Sequence, residues 1–158
     1  MKESLKTGVS FGFTSSIITT LGLMMGLYSG TQSKLAVLGG IITIAVADAA
    51  SDALGIHISE ESENKHTPLE IWVSTISTFF SKLLFALTFV VPLMLFSLSD
   101  AVVVSIVWGL ASLSVLSYFL ARSDNNKPLP VIVEHLTIAS CVIVLTYYLG
   151  IWVSETFV

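Results

Sequence analysis

Polar breaks divide the chain into five apolar runs, at about residues 8–29, 35–58, 70–97, 100–121 and 130–153, each long enough to cross a bilayer as a helix. The breaks carry turn chemistry: SGTQSK after the first run, SEESENKHTP after the second, SLSD after the third and RSDNNKPLP after the fourth. The pattern predicts an all-α integral membrane bundle of five transmembrane helices, with residues 1–158 as one domain. An odd number of spans puts the termini on opposite sides. No internal repeat is visible, so the inverted-repeat plan of many carriers is not expected within one chain.

Composition strengthens the membrane reading. Hydrophobic residues make up 54% of the 158, charged residues only 11%, and the mean hydropathy is +0.88, more oil than a soluble core requires. Lys2 and Lys6 precede the first run as they would in a signal peptide, but Gly8 to Gly30 is too long for a signal core and reads as the first span. Lysine and arginine set the orientation, because short loops rich in them stay cytoplasmic. With the N-terminus inside, the cytoplasmic segments hold Lys2, Lys6, Lys65, Arg122 and Lys127, and the outer segments only Lys34. The expectation is N-terminus in, C-terminus out. Trp72 and Tyr118 near one surface, and Tyr28 and Trp152 near the other, suit an aromatic belt.

The net charge of −4 offers no basic patch, which argues against a nucleic-acid partner. Cys141 is the single cysteine, so no intrachain disulfide can form, and within its apolar run it reads as a packed thiol. Gly22, Gly26 and Gly30 recur every four residues and let helix backbones approach closely, either with a second copy or within the subunit. No nucleophile and base set, zinc motif or phosphate loop appears, so an enzyme is not expected.

Two acids stand inside the second run. Asp48 and Asp52 are four residues apart and share a helix face, which continues through Gly55 and Ser59 to Glu63 if the helix runs past the membrane surface. A carboxylate in hydrocarbon costs a few kcal/mol, so such residues face a bundle interior, a partner or water, and mark functional paths. Adjacent carboxylates repel, so an empty site would hold a proton that an arriving cation displaces. Cation–proton exchange follows as one expectation. Other accounts stay open: the acids can make a polar helix contact, or Lys82, the one basic residue well inside a span, can neutralise them as architecture or as a gate.

Further polar groups extend the candidate site. The first span carries Thr14, Ser15, Ser16, Thr19 and Thr20, with Met24 and Met25 adding soft sulfur; hydroxyl-rich faces also simply pack helices. In the fifth span Glu134, Thr137 and Cys141 share a face beside His135, and Glu134 lies near a surface where water can reach it. His57 sits off the acidic stripe and reads as a surface histidine. Glu60, Glu61, Glu63, His66 and Glu70 make an acidic cytoplasmic loop, whose oxygen and imidazole groups suit manganese or ferrous iron, or else form loose solvated charge. Asp100 opens the fourth span and can cap its first turn.

The order of these features resembles the vacuolar iron transporter family. FGFTSSIITTLGLMMGLYSG is similar to that family's opening helix, LAVLGGIITIAVADAASDALGIHISEESE to its second, Pro92 and Leu93 to a Pro-Leu in its third, and HLTIASCVIVLTYYLG to its fifth. The resemblance implies dimeric five-span carriers that move ferrous iron or manganese out of the cytosol with proton exchange. This chain departs at sites of function. Phe11 stands where the family has an Asp, Asp52 where it has a Met and Ile56 where it has a Glu, and only a short acidic loop replaces the metal-binding insertion of some members.

The resulting expectation is a homodimeric exporter of divalent metal, probed at named residues. Asp48, Asp52, Glu134 and Glu63 would ligate metal; Ser15, Thr19, Lys82 and His135 would line the path or gate; Glu60, Glu61 and His66 would gather ions at the cytoplasmic surface. The metal is substrate, and no resident cofactor is expected. The bilayer, metal ions, protons and a second copy are the expected partners, and a prokaryotic cell membrane the expected location. The alternative is a non-transporting membrane protein of the same fold whose acids pair with Lys82.

Overall fold

Polar residues at the ends of the apolar runs decide where helices start and stop. In the computed structural model, which describes residues 1–157, these are α1 (Lys2–Thr31), α2 (Lys34–Glu63), α3 (Pro68–Thr88), α4 (Val90–Leu95), α5 (Leu98–Ser123) and α6 (Pro128–Phe157). Ser33 caps α2 by accepting from the Ala36 N–H at 3.2 Å. Thr67 and Glu70 form a reciprocal capping box on α3, with Pro68 in its first turn. Ser97, rather than Asp100, is the cap of α5; its Oγ donates to Asp100 Oδ2 at 2.6 Å. Gln32, Asn64 and Asn125 take positive φ where three helices end.

The third apolar run forms two helices instead of one. Pro92 has no N–H for the Thr88 carbonyl and its ring crowds that turn, so the helix breaks at Phe89. With α3 and α4 taken together, five helical segments are long and apolar enough to span a membrane. The chain is thus a multi-pass helical bundle. Contacts tie its two ends: the Met1 amine meets Glu70 at 2.9 Å and Lys6 pairs with Asp124 at one, while Lys34 donates to the Phe96 carbonyl at 2.9 Å at the other.

Helix α1 runs through the middle, packed against α2, α3, α5 and α6. Its residues Ile17, Leu21 and Met24 are sealed into one core with Ile41, Phe89, Leu93 and Leu113. Met24 and Met25 are therefore packing residues. The glycine row is also spent inside the chain: a Cβ on Gly30 would lie 3.0 Å from the Gly150 carbonyl of α6, and one on Gly22 would lie 3.0 Å from Val142. Small residues let these backbones approach where lipid offers no hydrophobic drive.

On the α3 side, a Cβ at Gly12 would stand 2.6 Å from the Thr78 carbonyl oxygen. Backbone cannot yield as a side-chain tip does. Gly12→Ala is expected to cost about 1–3 kcal/mol through overpacking. Gly39→Ala, which meets nothing within 4 Å, should stay within about 1 kcal/mol of the parent. Thermal unfolding of the detergent-solubilised protein reads both.

Cys141 is exposed on α6 and not packed, with Glu134 and Thr137 exposed on the same outward face. A helix that buries only Ala139 and Gly150 along its length turns most of its apolar surface to lipid.

Candidate cation site

Inside the bundle, α2 and α3 run antiparallel with polar rows facing each other. On α2 every fourth residue from Asp48 gives Asp52, Ile56 and Glu60; on α3 every fourth from Ser74 gives Thr78 and Lys82. Lys82 is 1% exposed, which in hydrocarbon demands a partner. It has two. Its Nζ lies 2.6 Å from Asp48 Oδ2 and also donates to Asp52 Oδ2. The contact with Asp48 is an ion pair off the line that a hydrogen bond needs, whereas that with Asp52 is aligned.

Ser15 of α1 completes the cluster. Its hydroxyl accepts from Lys82 Nζ at 2.8 Å and donates to Asp52 Oδ2 at 2.6 Å, so one oxygen serves cation and anion together. Ser16 donates to the Lys82 backbone carbonyl at 3.1 Å and fixes the height of α3 against α1. The ammonium is sealed, but the aspartate side chains keep 23% and 20% of their surface, for Asp48 and Asp52 respectively. The two aspartate side chains are thus less enclosed than the ammonium they hold, although Asp48 Oδ2 itself is buried. With both ionised, two carboxylates and one ammonium leave one negative charge.

A second polar contact lies nearer the α2–α3 connection. Ser74 of α3, fully buried, donates to Glu60 Oε2, and Glu60 is only 8% exposed. Glu60 is turned inward here, whereas Glu61, Glu63 and His66 are exposed, and Glu63 pairs with Lys65 at 3.5 Å. Gly55 and Ser59 are exposed too, so the row from Asp52 continues through Ile56 to Glu60 and not through Gly55 to Glu63. A step of four residues overshoots a turn by about 40° and a step of three falls short by about 60°. The neighbour, not α2 itself, selects between them.

The remaining candidates sit apart. Thr19 donates to the Ser15 carbonyl at 3.0 Å and lines an apolar cavity of about 710 Å³ with Ile44 and the α1 glycines. His135 bonds Ser117 of α5 through Nδ1 at 2.7 Å, and the Ser117 hydroxyl also reaches the Leu113 carbonyl at 2.7 Å. His57 is half-buried and not a free surface group: Nδ1 is hydrogen-bonded with the Thr75 hydroxyl at 3.0 Å, and the ring meets Trp72 edge-on. Among the described residues no group of three or more His, Cys, Asp or Glu side chains is arranged to hold a metal. Glu134 and Glu63 do not join the two aspartates.

These features define a class, a five-span helical membrane protein with a buried ammonium held between two carboxylates. No family model matches the chain, and no curated protein matches it.

Proposed function

We propose that the protein is a membrane carrier that exports divalent cations, ferrous iron or manganese, from the cytosol in exchange for protons. The observation that carries this reading is the Lys82 ammonium between two partly exposed aspartates. A site that already holds a cation at the depth of a span is one that another cation can contest. Asp48, Asp52 and the Ser15 hydroxyl are hard oxygen donors, and water would complete the shell of manganese or ferrous iron. The excess negative charge takes up one of the two positive charges a divalent ion brings, and release of one proton, from the Lys82 ammonium that carries it when both aspartates are ionised, balances the other.

In this reading the copy works as a homodimer. Supporting it, α2 presents Gly39, Thr43, Ala47, Ser51, Gly55 and Ser59 in one exposed row, where a second helix could approach closely beside the aspartates. The end that carries Lys2, Lys6, Lys65, Arg122 and Lys127 faces the cytosol, as the lysine and arginine bias directs.

One observation favours a second reading: both acids touch Lys82, which is what a non-transporting protein using them to hold helices together would show. Purified protein in liposomes separates the two. Manganese or ferrous iron added on one side should enter with a pH change reported by an enclosed dye. No flux of any tested divalent ion, in vesicles where a control carrier works, selects the structural reading.

A further inference from the structure

The aspartates need a route to water, and the antiparallel rows of α2 and α3 contain its parts. From the α2–α3 connection inward, Glu60 accepts from Ser74, Thr78 follows one turn deeper on the Ser74 row, and Lys82 with Asp52 follows one turn deeper still. Eight residues of helix separate Glu60 from Asp52, a distance of about 12 Å. The α3 row across that interval, Ser74, Thr78 and Lys82, is polar.

Thr78 is the decisive residue. It is 0% exposed, and its Oγ1 has no hydrogen-bond partner. Part-buried Thr75 returns its hydroxyl to the Ile71 carbonyl one turn back at 2.7 Å, whereas the buried Thr78, like Thr20 on α1, does not. An unbonded hydroxyl in hydrocarbon is unfavourable, and an internal water removes that cost. Opposite the same interval α2 supplies Ile56, half-buried and the one apolar member of the row from Asp48 to Glu60.

We propose that the seam between α2 and α3 is the aqueous access route from the Glu60 end to the aspartates, with Thr78 holding an internal water and Ile56 forming the closure. The inference rests on the reading of the Lys82 cluster as a cation site. Glu60 is the outer oxygen ligand of the route. Among the described residues Glu60 enters no ion pair, whereas Glu70 is held by the Met1 amine, Lys6 by Asp124 and Lys82 by the aspartates. Moving the Ile56 side chain aside joins the two polar ends.

Single cysteines in a Cys141→Ser background test the route with a membrane-impermeant cationic thiol reagent. Ile56→Cys and Thr78→Cys are expected to label from the side bearing residues 64–67 and not from the other, and manganese should slow the labelling. Ile56→Ala should raise the Thr78→Cys rate severalfold. Val107→Cys on the outer face and Ser62→Cys at the exposed end give the unreactive and reactive limits. Absence of labelling at both seam positions, or labelling only from the side bearing residues 32–33, overturns the route. Labelling without metal flux in liposomes removes the carrier reading and keeps the route; flux without labelling does the reverse.

Discussion

Lys82→Met should destabilise the protein by about 3–5 kcal/mol, the usual cost of removing one partner from a buried ionic group. The side chain keeps its length and packing volume, so the loss reports charge. Two carboxylates would be left facing each other, with only Ser15 Oγ still donating to Asp52. Adding Asp48→Asn and Asp52→Asn to Lys82→Met should recover most of the loss, because the triple variant buries no net charge. Denaturant unfolding in detergent micelles checks the series. A Lys82→Met protein within about 1 kcal/mol of the parent would mean that water, not the ammonium, satisfies the aspartates.

Asp52→Asn is expected to abolish proton-coupled metal uptake, while Asp48→Asn weakens it less. The asymmetry follows from the bonding. Asp52 is aligned on Lys82 and also accepts from Ser15, whereas Asp48 meets Lys82 alone and off-axis. Asp52→Asn removes the charged ligand and leaves Lys82 held by one ion pair, while the amide oxygen can still accept from Ser15. Ser15→Ala should fall between the two. Liposome uptake at fixed protein and matched pH gradients ranks all three, and equal effects of Asp48→Asn and Asp52→Asn would contradict the assignment.

The helical fold and the charged cluster are largely legible in the sequence, for physical reasons that differ by residue. Five apolar runs had to become helices because a bilayer offers backbone groups no other partner. Asp48, Asp52 and Lys82 stood out because charge at that depth is costly, and their meeting follows from the scarcity of partners: Lys82 is the one cation available. The break at Phe89 was visible only as Pro92 in an apolar run, since α4 is too short to show a periodicity of its own.

Glu60 was harder. A sequence fixes the phase of α2 around its own axis but not which neighbour it faces, and Glu60, Glu61 and Glu63 look alike until α3 is placed. Thr78 carries no signal of its own among the seven other hydroxyl-bearing or charged residues of its helix. His57 and His135 read as surface and pathway groups because sequence cannot show Thr75 or Ser117 waiting across a helix interface.

The separation of the ion-pair partners along the chain has a consequence for biosynthesis. Asp52 emerges from the ribosome 30 residues before Lys82. Each aspartate alone adds roughly 2.5–3.5 kcal/mol to insertion at the centre of a helix. The second helix should therefore linger in the translocon until the third arrives, and the two should leave it as a neutralised hairpin.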